Sequence, residues 1–288
     1  MFIQYFSGGL ALGSIYALIA LGFILIYKAT EVLNFAQGEI MMLGAFVSYT
    51  FIALFHLNFW LSLLFTFIVM GLFGYATERL LLRPLLGGPL FSLVMVTIGL
   101  AAVIRSGCGM IWSHEPVKFP EYLGNAPISI GSVIVSRPYF WVFIISLLLV
   151  LILGLFFKFT GLGISMRATG LNQLATLLVG INIKRIFSLT WALSAILAAI
   201  AGVLMAPILF LSTNMGFIGF KAFPAAILGG FGSIPGAIIG GYIIGVSENL
   251  AGGYLPPGFK DVFAYIILIV VLLIKPEGIF GVPELKRV

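Results

Sequence analysis

Long runs of uncharged, apolar residues are the feature that most limits what this chain can fold into. Of its 288 residues, 61% are hydrophobic and only 8% are charged, whereas a soluble domain carries about 25% charged residues. Several of the runs are long enough for a helix to cross a hydrocarbon core of about 30 Å. The sequence therefore predicts an all-α polytopic membrane protein. The predicted spans cover residues 7–27, 35–55, 59–77, 89–112, 139–157, 186–207 and 262–274.

The region between residues 208 and 258 does not have the pattern of regular spans. Prolines interrupt it, and its apolar pieces are short. Gly232, Gly236 and Gly240 recur every four residues, a spacing that lets helices touch backbone to backbone. Broken segments of this kind are stable in a membrane only where protein or water covers them. We expect two short or re-entrant helices here, with two ordinary thin spans as the alternative, so that the chain has about 8–9 transmembrane or re-entrant helices in all.

The basic residues predict the orientation of the chain in the membrane. Cytoplasmic loops carry an excess of Lys and Arg, and most cations fall on one side if the N-terminus lies outside and the C-terminus in the cytoplasm. Residues 114–138 are then external, and apolar residues that alternate around Gly131 and Ser132 predict a short hairpin there. No cation precedes the first span, which indicates a retained span rather than a cleaved signal peptide. The cations assigned to the cytoplasm are Lys28, Arg79, Arg83, Lys158, Arg167, Lys184, Arg185, Lys275, Lys286 and Arg287.

Residues 167–185 form the longest amphiphilic break between the apolar runs. Apolar residues at helical spacing predict one short helix that lies outside the hydrocarbon with an apolar face, and Gly180 follows it as a C-cap. That face could meet lipid headgroups or another protein. The apolar residues are Leu171, Leu174, Leu177, Leu178 and Ile181, and the accompanying cations are Arg167, Lys184 and Arg185.

A faint internal repeat relates the two halves of the chain. Residues 35–46 can be laid over residues 220–231, with Phe, Leu, Gly and Phe matching at four positions. The same register places the first span over the sixth, and the predicted orientation runs these two spans in opposite directions. We therefore expect an inverted repeat, which is typical of transporters. The chain is a single transmembrane domain with a first half (1–158), a cytoplasmic segment (159–185) and a second half (186–288).

Few charged residues lie within the apolar runs. Glu39 is near the start of the second span, where the helix dipole favours a negative charge by about 0.3–1 kcal/mol. A carboxylate within a membrane also suggests a cavity or a partner. We expect Arg105 to extend its side chain to the outer surface and Glu248 and Asp261 to lie at the membrane interface.

The residue content argues against several classes of function. The chain has two histidines and one cysteine, which argues against a zinc site or a cysteine–histidine nucleophile. It contains no Gly-Lys dipeptide and hence no Walker A loop, so an ATPase that drives transport would have to be another chain. We expect no catalytic residue, no metal and no cofactor. The net charge of +6 reflects the placement of cations in a membrane protein and not nucleic-acid binding.

Four motifs carry a resemblance to a known family. They are Asn34-Phe-Ala-Gln-Gly-Glu-Ile-Met-Met-Leu-Gly-Ala45, the stretch from Met166 to Arg185, Leu228-Gly-Gly-Phe-Gly-Ser-Ile-Pro-Gly-Ala237, and Lys275-Pro-Glu-Gly-Ile-Phe-Gly281. Together they resemble the branched-chain amino-acid ABC transporter permeases of the LivH type, and the resemblance extends over the whole chain. It implies an inner-membrane permease subunit, embedded in lipid, that pairs with a related permease. Two cytoplasmic ABC ATPase subunits and an external solute-binding protein would complete the importer.

The resemblance also assigns roles to residues. The stretch 167–185 is then the docking segment for an ATPase. Many relatives carry a Glu-Ala-Ala triplet where this chain has Leu174-Ala175-Thr176, so a carboxylate cannot serve in docking here. The coupling candidates are Arg167, Asn172, Leu174, Ala175, Leu178, Gly180, Lys184 and Arg185. The candidates for a pathway or structural role are Asn34, Gly38, Glu39, Gly44, Gly229, Gly230, Gly236 and Gly240.

Several functions stay open at this point. The leading hypothesis is a permease that translocates branched-chain or other hydrophobic amino acids, and the resembled family also includes permeases for urea and short amides. A secondary transporter or channel that works alone is the second hypothesis, and sparse intramembrane carboxylates count against it. An intramembrane enzyme is the third, and the scarcity of catalytic residue types counts against it.

Overall fold

The computed structural model describes residues 1–281 except 121, 123, 125, 126, 131, 132 and 257, so Lys286 and Arg287 lie outside the described residues. Within this part, helices make up most of the chain, and one two-stranded sheet lies between α4 and α5. The elements are α1 (Phe2–Thr30), α2 (Gln37–Ala53), α3 (Phe59–Thr77), α4 (Leu90–Trp112), β1 (Ile128–Ile130), β2 (Val133–Val135), α5 (Arg137–Phe159), α6 (Gly161–Leu171), α7 (Gln173–Leu178), α8 (Ile183–Met205), α9 (Met215–Phe220), α10 (Ala222–Gly229), α11 (Ile234–Tyr254) and α12 (Phe259–Ile274).

The helices confirm the apolar runs as helical segments. In the described part of the chain, six helices are long and apolar enough to cross a membrane: α1, α3 with its continuation to Leu85, α4, α5, α8 and α11. The remaining two predicted spans are helices of 17 residues (α2) and 16 residues (α12). The boundaries of α3 coincide with the predicted 59–77. The total of 8–9 membrane elements and the orientation of the termini stay predictions.

The prediction for residues 208–258 is half right. The first apolar piece, residues 223–228, forms the short helix α10, as expected, and a further short helix, α9, precedes it. The second forms the 21-residue helix α11, so the expectation of a second short helix was wrong. Pro235 lies in the first turn of α11, where a backbone N–H has no helical partner and proline is tolerated. Proline therefore starts this helix and does not interrupt it.

Helix α1 lies at the centre of the bundle and packs against α8 on one side and α11 on another. Glycines let α1 and α11 meet backbone to backbone. A Cβ added at Gly245 would lie 2.2 Å from the Cα of Gly13, and one added at Gly241 would lie 2.6 Å from the Cα of Ala17. Larger residues at these positions would separate the two helices.

The set of contacts between helices stays the same when helices of the first half are exchanged with helices of the second half. Helix α1 packs on α11, and α3 packs on α8; α1 also packs on α10, and α2 packs on α8. Exchanging α1 with α8, α2 with α10 and α3 with α11 leaves this set of contacts unchanged. The contacts therefore have the form that two related halves around a pseudo-twofold axis would produce.

The segment before α5 forms the expected hairpin. Strands β1 and β2 are antiparallel, with Ile128 opposite Val135 and Ile130 opposite Val133. The predicted turn residues Gly131 and Ser132 lie outside the described residues. Val117 forms a bridge with Leu211 after α8 through two hydrogen bonds of 2.8 and 2.9 Å. The segment that contains the hairpin is thus tied to the end of α8.

Candidate functional site

The spacing predicted one helix over the stretch 167–185, and this prediction was wrong. The stretch contains the end of α6, all of α7 and the start of α8. The break is at Asn172, whose backbone is extended (φ −158°, ψ 106°). Its side-chain oxygen accepts a hydrogen bond of 3.0 Å from the backbone N–H of Ala175. Asparagine favours this N-cap role over a place inside a helix, and apolar spacing alone does not reveal it. Gly180 has the positive φ (88°) expected of the residue that follows a helix.

An exposed apolar surface, which we call the docking surface, covers α7 and its two ends. Leu174 is 75% exposed and Leu178 is 87% exposed, whereas Thr176 is buried. A surface helix normally turns its apolar face toward the core, and here that face points away from it. A contiguous apolar patch of this kind marks an interaction site. The docking surface consists of Leu171, Leu174, Leu177, Leu178 and Val179, with Arg167, Ala175, Lys184 and Arg185 also exposed near it.

The docking surface is attached to the bundle through the end of α1. Gln173 donates a hydrogen bond of 3.3 Å from Nε2 to the carbonyl oxygen of Ala29. A Cβ at Gly170 would lie 2.7 Å from both the carbonyl oxygen and the side-chain Cγ of Lys28, so the backbone of α6 lies close against α1 there. A displacement of α7 would therefore reach α1 directly.

A second connection, which the sequence did not indicate, joins the end of α3 to the start of α8. Glu78 is buried. Its Oε2 accepts hydrogen bonds from Arg83 Nη2 at 2.7 Å and from Ser188 Oγ at 2.5 Å. Arg83 also donates to the carbonyl oxygen of Lys184 at 3.2 Å. Arg83, Leu177 and Lys184 line an open groove of about 770 Å³ beside the docking surface. This cluster fixes the start of α8, next to the docking surface, to the first half of the chain.

The turn before α2 is a buried polar network. Asn34 donates from Nδ2 to Gln37 Oε1 at 2.9 Å, and its Oδ1 accepts from the backbone N–H of Ala36. Gln37 Nε2 donates to Ser194 Oγ at 3.0 Å, and Ser194 Oγ donates to the carbonyl oxygen of Gly22. This network joins α2, α8 and α1 at one place, which gives Asn34 a structural role.

Arg105 forms an ion pair with Glu39, so the expectation that Arg105 extends to the outer surface was wrong. Glu39 is fully buried in the first turn of α2. The guanidinium carbon of Arg105 lies 3.9 Å from the ring centre of Phe217, and a Cβ at Gly216 would lie 2.8 Å from Glu39 Oε1. The pair therefore holds α2, α4 and α9 together. Pairing is the arrangement expected of a charge held within apolar surroundings.

A second ionic cluster lies between α9–α10, α11 and α12. Lys221, at the break between α9 and α10, donates to Glu248 Oε1 and to Asp261 Oδ1, each at 2.7 Å. The Tyr16 hydroxyl donates to Glu248 Oε2 at 2.8 Å. Glu248 is buried in the protein and Asp261 is exposed, and their expected place at the membrane interface stays a prediction. The sequence interpretation considered Glu248 and Asp261 but missed Lys221 and Tyr16.

The glycines named as pathway candidates lie in close helix contacts. A Cβ at Gly38 would lie 2.2 Å from the carbonyl oxygen of Gly216, and one at Gly44 would lie 2.4 Å from the Cα of Ala199. Gly230 has a positive φ of 96°. Gly229, Gly236 and Gly240 take part in the contact between α10 and α11. These positions have a packing role, and their place along a pathway stays a prediction.

Comparison with known proteins gives a consistent result over the whole chain. The family model described as "Branched-chain amino acid transport system / permease component" matches residues 5–272. The high-affinity branched-chain amino acid transport system permease protein LivH of Escherichia coli (strain K12) is 34% identical, covering 100% of this chain and 98% of the relative. The corresponding protein BraD of Pseudomonas aeruginosa is 36% identical, with the same coverage of 100% and 98%.

A more distant similarity is to the fructose import permease protein FruF of Bifidobacterium longum. It is 29% identical, over 65% of this chain and 51% of the relative. No solved structure matches the chain.

Proposed function

The chain belongs to the family of permease components of branched-chain amino acid transport systems, and from that premise we propose that it is the permease subunit of an ATP-binding-cassette importer. Its substrates are branched-chain or other hydrophobic amino acids that an external solute-binding protein delivers to the cytoplasmic membrane. The relatives named for branched-chain amino acids cover the whole chain, whereas the fructose permease covers 65% of it. This difference favours an amino acid over a sugar.

The observation that carries the proposal is the docking surface. Four leucines and a valine are exposed on a short segment next to exposed cations. An apolar centre with a charged rim is the usual composition of a protein interface. We assign this surface to one of two cytoplasmic ABC ATPase subunits, with the N-terminus of the chain outside and residues 159–185 in the cytoplasm. A related second permease subunit completes the membrane part of the importer.

Two connections would transmit the motion of the ATPases. ATP binding closes the ATPase dimer and pushes on the docking surface. This surface is attached to α1 through Gln173 and to α3 through the Glu78–Arg83–Ser188 cluster. The ATPases thereby shift the population between outward-open and inward-open states.

The two halves are an inverted repeat, and they would rock against each other. Phe35 and Phe220, which the repeat alignment makes equivalent, stack on each other with ring centres 6.3 Å apart. Equivalent residues of two halves meet in this way at a pseudo-twofold axis. The exchange pattern of the helix contacts supports the same arrangement, and rocking of inverted repeats is a known basis of alternating access.

Substitution of Leu178 tests the proposal. Leu178→Asp should weaken binding of the ATPase subunits by about 30-fold, the loss expected for an apolar anchor at the centre of an interface. Binding is measured with the purified permease pair in lipid nanodiscs, and leucine uptake is measured in proteoliposomes. Leu178→Met, which keeps the apolar surface, is the matched control, and Arg167→Glu with Lys184→Glu probes the rim. Unchanged ATPase binding and uptake for Leu178→Asp would contradict an ATPase at this surface.

A further inference from the structure

A cleft between α9 and α12 combines apolar side chains with an ion pair. It has a volume of about 500 Å³ and is lined by Phe217, Ile218, Phe220, Lys221, Asp261 and Tyr265. Phe217 separates it from the Glu39–Arg105 pair, because the Arg105 guanidinium lies against the Phe217 ring. One part of the cleft is therefore aromatic and the other part presents both a cation and a carboxylate.

The ion pair of the cleft has capacity for further contacts. Lys221 is an ammonium group with three donors, and two of them go to Glu248 and Asp261. Asp261 accepts from Lys221 through Oδ1, and its side chain is 73% exposed. Tyr16 and Lys221 hold Glu248 in place beneath the cleft. The cleft therefore offers an ammonium donor, which Glu248 holds in place, and an accessible carboxylate bonded to that donor.

The cluster joins a buried side to an exposed one. Tyr16 lies within α1 and Glu248 is buried, whereas Asp261 is in the first turn of α12 and is exposed. Lys221 stands where the chain changes from α9 to α10. In transporters built from inverted repeats, substrate sites lie at such discontinuous helices. The cleft lies at a break of this kind.

We propose that this cleft binds the transported amino acid as a zwitterion during its passage through the membrane. The α-ammonium group of the substrate donates to Asp261, and its α-carboxylate accepts from Lys221. The branched side chain packs on Phe217, Phe220 and Tyr265. This inference rests on the proposed function, because it assumes that a hydrophobic amino acid is the substrate.

The chemistry of the substrate explains why the cleft needs two charges. An amino acid carries both an ammonium and a carboxylate, and either charge without a partner is costly in a membrane interior. Lys221 and Asp261 are partners of each other in the structure. The bound zwitterion supplies an opposite charge to each of them, so neither is left without a partner when they separate. A sugar or urea carries no charges that could pair with Lys221 and Asp261.

Asp261→Asn tests the site in the assembled importer with its second permease, ATPases and binding protein. Loss of one charged hydrogen-bond partner should lower the uptake of radiolabelled leucine into proteoliposomes by about tenfold. ATP hydrolysis stimulated by the leucine-loaded binding protein should persist, because the docking surface is untouched. Asp261→Glu should keep most of the uptake, and Glu277→Gln, which removes an exposed carboxylate outside the cleft, should leave it unchanged.

Photo-crosslinking gives a second readout that does not depend on turnover. Photo-leucine should label peptides that contain residues 217–221 or 259–265, and Asp261→Asn should reduce this labelling. Unchanged uptake and labelling in Asp261→Asn, or labelling only elsewhere in the chain, would overturn the proposed site. If the parent chain showed no ATPase binding and no ATP-dependent uptake, the proposed function itself would be wrong, which is a distinguishable outcome.

Discussion

Replacing Arg105 by methionine is expected to lower the free energy of unfolding of this chain by about 3–5 kcal/mol, the usual cost of removing one partner of a buried ion pair. Glu39 is fully buried, and its Oε1 is the atom that pairs with Arg105. Methionine keeps the apolar stem of the side chain but lacks the guanidinium, so this carboxylate is left without its cation. Unfolding in mixed micelles, followed by circular dichroism, measures the loss.

A double variant separates the ion pair from simple packing. Glu39→Gln combined with Arg105→Met removes both charges, and most of the lost stability should return because no buried charge is left unpaired. Arg137→Met, which removes a cation at the start of α5, is the matched control and should have a small effect. If Arg105→Met were as stable as the parent chain, the pair would not hold α2, α4 and α9 together.

The positions of the membrane helices could be predicted because a single local property specifies them. A helix in a bilayer must satisfy its own backbone hydrogen bonds and expose apolar side chains, so an apolar run of sufficient length is enough to locate it. Helix α3 begins and ends at the predicted residues. The breaks were harder to predict. Asn172 ends α6 and caps α7 through one side-chain hydrogen bond, and the apolar spacing on both sides of it continues as if the helix were unbroken.

Two of the ion pairs could not be predicted, because their members are distant in sequence. Arg105 and Glu39 are separated by 66 positions, and Lys221 and Asp261 by 40 positions. Only the packing of the helices determines which of these charges meet. The expected outward extension of Arg105 followed from its position along α4 alone, which says nothing about the neighbouring start of α2.

The glycines of α10 and α11 were identified by spacing, and their contacts give a second large effect. Gly236→Leu is expected to lower the free energy of unfolding by about 3 kcal/mol, the upper part of the usual range for overpacking. A Cβ at this position would lie 2.1 Å from the carbonyl oxygen of Gly229, and one at Gly229 would lie 2.0 Å from the carbonyl oxygen of Gly236. Backbone atoms cannot turn aside as a flexible side chain can, so α10 and α11 must separate.

Gly154→Leu in α5 is the matched control, because nothing lies within 4 Å of a Cβ built there. It introduces the same side chain into the middle of a membrane-length helix and should leave the midpoint of unfolding close to that of the parent chain. Gly240→Leu should behave like Gly236→Leu, since its Cβ would lie 2.1 Å from the carbonyl oxygen of Ala225. Equal stability of Gly236→Leu and Gly154→Leu would mean that α10 can move away from α11 without loss. The contact between α10 and α11 would then not be rigid.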